Sequence, residues 1–193
     1  MKSSWASLVL IILVGCSGQS TKREIYNEDF KWRITIPENF ENVEPDDWKK
    51  LQSKGETAIE NTYGEEIVNQ SKVIFVFKSG ELNYFESNSQ PFDEKTDGDY
   101  MESWKMVNEV LYQTFVSQMP GTKIDSASSI ERIDQLDFHT ITMKIAYPNK
   151  MIMNFIMYSR LFDNREFTVN IMYVDESKGQ LMKDSWFASK FAK

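Results

Sequence analysis

His139 is the only histidine in this 193-residue chain, and so the only side chain whose ordinary pKa lies near neutrality. A serine triad built on this sequence would have to use it as base. Strand alternation places it on the face that carries Ile141, Met143, Ile145 and Tyr147, and no serine stands in a Gly-x-Ser-x-Gly setting. A packed or hydrogen-bonded strand histidine is therefore expected, and no catalytic residue is assigned. Thioethers are a second candidate chemistry, since they bind Cu(I). Met151, Met153 and Met157 share one predicted strand face, with Met143 and Met172 on adjoining strands. Phe155 stands in the same row of an apolar strand, which is the pattern of a core filled by adaptable Met side chains. Asp93, Asp97 and Asp99, with Gly98 among them, form a third candidate, because hard cations take clustered carboxylates. Lys95 occupies an intervening ligand position and Trp104 stands where a bidentate Glu belongs, so these acids read as residues that favour a helix start. The adjacent pairs Asp46-Asp47 and Glu65-Glu66 are of the kind any solvated surface carries. No metal or other cofactor is implied.

The start of the chain carries a more specific signal. Lys2 supplies a charged leader, Leu8 to Val14 an uninterrupted apolar run, and Gly15 a small residue before Cys16. A membrane-spanning helix needs about 20 apolar residues, and the flanking serines and Lys22 leave far fewer. Leu13-Val14-Gly15-Cys16 resembles the lipobox of bacterial lipoproteins. That resemblance implies cleavage between Gly15 and Cys16, a diacylglyceryl thioether on the Cys16 sulfur, and acylation of the new amine by a chain such as palmitate. Each buried CH₂ contributes about 0.8 kcal/mol, and several chains on one residue make a durable anchor. Cys16 is the only cysteine, so lipidation leaves no thiol for a disulfide, a zinc site or a nucleophile. Ser17 does not match the aspartate that some bacteria read as an inner-membrane retention signal, which points to the outer membrane, facing the periplasm.

Loss of residues 1 to 15 leaves 178 of the 193 residues, enough for one domain with a real core. The formal charge of −7 becomes −8 without Lys2, and charges of both signs are mixed along the chain. Nucleic acid is not an expected partner, because phosphate neutralisation needs a basic face. Residues 16–24, the acylated cysteine and a polar tether, lead into a single domain over 25–193. Residues 17–24 reach at most about 26–29 Å when extended.

Phe30, Trp32, Ile34 and Ile36 alternate with polar residues, so a first strand is predicted there, ended by Pro37. A weaker helix begins near Pro45 and carries Trp48, Leu51, Ile59 and Tyr63, with Gly55 as a possible break. Val73 to Phe77 predicts a strand covered on both faces, followed by a turn at Ser79-Gly80 and a strand near Tyr84 and Phe85. Tyr100, Trp104, Val107, Leu111 and Phe115 recur at helical spacing over 99–119, with Asp99 and Glu102 as a capping pair and Pro120-Gly121 as the stop. A strand over 123–133 leads into a meander over 138–147, 151–162 and 167–174. A last helix starts from Asp175 or Ser177 and bears Leu181, Trp186, Phe187 and Phe191.

These elements predict an α+β fold, a twisted antiparallel sheet with helices packed on both faces, since the middle strand of the meander is apolar on both sides. Phe30-Lys31-Trp32-Arg33-Ile34-Thr35-Ile36-Pro37 followed by Phe40, the passage from Asn83 to Trp104, the hairpin series and Ser185-Trp186-Phe187 together resemble the PsbP-like fold. That family includes the photosystem PsbP subunit, a Ran-binding import factor and many bacterial envelope lipoproteins. The resemblance covers nearly all of the mature chain and implies a protein that works by docking. The expected function is a non-catalytic binding or accessory module, held to the membrane through Cys16 and engaging another protein of the cell envelope. Two alternatives stand beside it: an envelope hydrolase whose site assembles only in the fold, and a small-ligand or metal carrier.

Overall fold

A computed structural model describes residues 23–64, 66 and 69–192. The chain opens with a hairpin, β1 (Arg23–Asn27) and β2 (Trp32–Ile36), then β3 (Glu41–Asn42) and helix α1 (Pro45–Tyr63). Strands β4 (Lys72–Lys78) and β5 (Tyr84–Pro91) follow, then the short α2 (Glu94–Asp97) and the long α3 (Tyr100–Gln118). The second half is a run of strands, β6 (Lys123–Ile133), β7 (Leu136–Ala146), β8 (Ile152–Phe162) and β9 (Arg165–Tyr173), closed by α4 (Glu176–Phe187) and β10 (Lys190–Phe191). Seven strands form one sheet in the order β3-β4-β5-β9-β8-β7-β6, and β1-β2-β10 form a second; every pairing is antiparallel.

Period-two alternation in β7, β8 and β9 divides the core in two. One row, Phe138, Ile156, Tyr158, Phe167, Val169, Ile171 and Tyr173, faces the small sheet and α4, where Trp32 and Trp186 are both fully buried with ring centroids 5.9 Å apart. The opposite row, Ile141, Met143, Ile145, Met153 and Met157, packs under Trp104, Leu111 and Phe115 of α3. Helices cover both faces of the large sheet, as the doubly apolar β8 requires.

Local signals set the helix ends. Asp99 caps α3 by accepting from the Glu102 amide at 2.9 Å, Asp175 caps α4 by accepting from Ser177 and Lys178, and Gly64 ends α1 at φ +74°. Gly55 does not break α1, which runs through it from Pro45 to Tyr63.

Three expectations need correction. The strand at Trp32–Ile36 is not the first among the described residues: β1 precedes it, with Arg23 and Glu24 paired through their backbones with Ile36 and Thr35, Arg23 donating to the Phe40 carbonyl and Glu24 accepting from Arg33. Phe191 is not helical: it lies in β10, opposite Trp32, where Asp134 accepts its amide at 2.7 Å. Strand β5 is longer than Tyr84 and Phe85 suggested and runs on through Glu86, Asn88 and Gln90 to Pro91. Those polar residues look like loop in sequence, yet β9 supplies a complete strand partner for them.

Candidate functional site

Helices α1 and α3 lie against each other over the β5, β9 and β8 side of the large sheet, and a cleft of about 810 Å³ opens between them and the strands. Its walls are apolar. Trp48, Ile59 and Tyr63 come from α1, and Met106, Val107, Val110 and Leu111 from α3. Met106 is 64% exposed and Val107 43% because they face this opening rather than the closed core.

The floor is a ladder of cross-strand pairs between β5 and β9: Tyr84 opposite Met172, Glu86 opposite Asn170, Asn88 opposite Thr168 and Gln90 opposite Glu166. Phe155 and Met157 extend it along β8. Glu86 is the most unusual group. It is 4% exposed and accepts from Asn170 Nδ2 at 2.6 Å and from Asn88 Nδ2 at 2.7 Å. Burial pushes its carboxyl above the ordinary glutamate range, against the opposing pull of those two amides. Asn170 Oδ1 is buried without a hydrogen-bond partner among the described residues. Trp48 Nε1 is likewise buried and unpartnered, and its ring lies 5.9 Å from that of Tyr84.

A second network closes one end of the ladder. Glu166 accepts from Gln90 Nε2 at 2.6 Å, from the Tyr100 hydroxyl at 3.2 Å and from the Ser159 hydroxyl; Tyr100 and Ser159 oxygens are themselves 2.7 Å apart. Burial, and then the Glu166 carboxylate, push the Tyr100 phenol well up, so it remains a donor. His139 lies opposite Ser159 across the β7-β8 pair, its ring 5.6 Å from Trp104 and 6.2 Å from Tyr100. Burial, followed by the charge of Arg160, holds its imidazole below the usual value. A serine, a histidine and a carboxylate thus come close together. The hydroxyl is fully buried and turned to Glu166 rather than to the imidazole, which is the wrong order for a nucleophile activated by its base.

The carboxylates of Asp93, Asp97 and Asp99 are engaged with backbone amides. Asp93 accepts from Lys95, Asp97 from Asp93, and Asp99 from Glu102. Among the described residues no group of three or more His, Cys, Asp or Glu is placed to hold a metal. Met143 and Met153 are buried at 1% and 5% exposure, while Met157 and Met172 reach the cleft, and Met119 Sδ accepts from the Tyr147 hydroxyl at 3.1 Å. Gly15 and Cys16 lie outside the described residues. Among the described residues no helix is long and apolar enough to cross a membrane.

Sequence reading overlooked Glu86, Asn88, Gln90 and Asn170. No period-two signal marks them: residues 86–90 read Glu-Ser-Asn-Ser-Gln, polar at every position, and only Tyr84 and Phe85 before them indicate a strand.

The large antiparallel sheet covered on both faces, with a cleft on one, defines an α+β fold. No protein-family model and no curated protein matches the sequence. Among solved structures, the cyanobacterial PsbP protein CyanoP of Synechocystis is similar at a TM-score of 0.57 and 7% identity, over 93% of this chain and 99% of its own. A Bacteroides thetaiotaomicron protein matches at 0.45 and 9% identity, over 84% of this chain and 45% of its own. The Saccharomyces cerevisiae Ran-binding protein Mog1p matches at 0.40 and 10% identity, over 88% and 95%. The fold is PsbP-like.

Proposed function

We propose that this protein is a non-catalytic binding module, held at the bacterial cell envelope by lipid on Cys16, and that the cleft between α1, α3 and the sheet is its binding site. The observation that carries this reading is the cleft itself. At about 810 Å³ it falls within the roughly 300–1,000 Å³ typical of small-molecule sites, and it combines apolar walls with a few convergent polar groups. The Ser159 hydroxyl, buried and bonded to Glu166, supports binding over hydrolysis. Only six residues, 17–22, separate Cys16 from β1 in the sequence, so a module anchored at Cys16 would meet its ligand close to the bilayer and present it to neighbouring envelope proteins.

Two variants test the two halves. Cys16→Ser is expected to leave the membrane fraction for the soluble one, and retention that resists high salt would remove the anchor from the proposal. Val107→Trp, at an exposed position on the cleft wall, is expected to fill the opening. Small molecules released by solvent from the native protein should be missing from this variant in mass spectra, and an identical set from both would show that the cleft is not the site.

A further inference from the structure

The chemistry of the cleft narrows what it binds, provided the cleft is the binding site proposed above. Four described lining residues are charged, Glu56, Glu66, Glu86 and Glu166, and all four are acidic. Among the described residues neither Glu86 nor Glu166 is in an ion pair. A carboxyl as buried as Glu86 is expensive to leave charged and unmatched, so it is held toward its protonated form, as burial does here, or ionises where a cation reaches it. Here its partners are the neutral amides of Asn88 and Asn170. Beside it, Asn170 Oδ1 is an acceptor with no donor. A single positively charged N–H donor on the floor would answer both. The cleft also carries the rings of Trp48, Tyr63 and Tyr84, residue types whose faces attract cations, and the apolar side chains of α3, which attract hydrocarbon. Among the described lining residues an anion would meet four glutamates and no cation.

We infer that the cleft takes a protonated amine carried on an apolar body, an alkyl- or arylalkylamine, with its ammonium against Glu86 and Asn170 and its hydrocarbon between α1 and α3.

Titration calorimetry of the full chain with a matched series tests this: 3-phenylpropylamine, 3-phenylpropanol and 3-phenylpropionate share a body and differ in the head. The amine is expected to bind about tenfold or more tightly than the alcohol, the scale of one hydrogen bond to a charged group, and the acid least of all. Glu86→Gln should erase the advantage of the amine over the alcohol, and Glu166→Gln, at the other end of the ladder, should weaken the amine less. Val107→Trp should weaken all three. Equal binding of amine and alcohol, or an amine preference that survives Glu86→Gln, overturns the cationic assignment while the cleft remains a binding site. Amine binding untouched by Val107→Trp places the interaction elsewhere and overturns it as well. Binding of none of the three also overturns it, and the solvent-release comparison then decides separately whether the cleft binds anything.

Discussion

The same substitution at two helical glycines is expected to act with opposite sign. Gly179 lies in α4 where the helix crosses β9, and a Cβ added there would stand 2.4–2.5 Å from three carbons of the Tyr173 ring. Carbon atoms in contact sit about 3.5–4.0 Å apart, so helix and ring must separate by about 1 Å. Tyr173 has little room to yield, being 5% exposed, paired with Asn154 on β8 and covered by Lys183 at 5.6 Å. Overpacking costs about 1–3 kcal/mol, and a Cβ placed about 1 Å too close to a ring with so little room falls in the upper part of that range, about 2–3 kcal/mol. Alanine recovers about 1 kcal/mol through its better helix propensity. Gly179→Ala should thus destabilise by about 1–2 kcal/mol, and for a domain of this size Tm should fall by about 2–8 °C. Gly55, midway along α1, meets nothing within 4 Å, so Gly55→Ala keeps only the propensity gain and should raise Tm by about 1–4 °C. Thermal unfolding followed by far-ultraviolet circular dichroism, with both variants and the parent in one buffer, reads the two shifts. An unchanged or raised Tm for Gly179→Ala would refute the close approach of α4 to β9, and a lowered Tm for Gly55→Ala would refute the open setting of the cleft-forming helix.

Two further outcomes follow from buried groups. Glu86 holds its proton more tightly folded than unfolded, so its contribution to stability is full below the ordinary glutamate value and is lost as pH rises through the folded value. Glu86→Gln should therefore gain stability relative to the parent as pH rises from about 4, then level off; urea midpoints across pH measure this, and a flat or falling difference would contradict it. Trp186→Ala, which empties a fully buried site against Trp32, Phe138 and Phe167, should cost about 3–5 kcal/mol in urea unfolding, whereas a cost below about 1 kcal/mol would mean that the two layers do not meet there.

Much of the fold is legible in sequence because its signals are local. Asp99 and Asp175 cap helices where their positions suggest, and Pro120-Gly121 follows the end of α3. The meander is visible in the apolar alternation of β7 to β9. Arg23 and Glu24 escaped notice because an edge strand held by backbone pairing needs no apolar side chains. The candidate site was harder to read. His139, Asp93, Asp97 and Asp99 stand out by residue type, yet the fold uses them for packing and capping. Glu86, Asn88 and Gln90 look like loop because nothing within the segment shows that β9, some 80 residues later, will pair with it.

By itself, then, the sequence determined the α+β class, the helix caps, the antiparallel run and the two-faced burial of β8, since each follows from side-chain period or capping chemistry within a few residues. It also carries Leu13-Val14-Gly15-Cys16, a contiguous motif that needs no fold to be recognised. Tertiary structure alone decided that β5 and β9 are neighbours, that Glu86 faces Asn170 across them, and that α1 and α3 leave a cleft above that pair. The physical reason is separation along the chain. A carboxylate becomes unusual only when distant segments take away its water, and no pattern within β5 records which segments those will be.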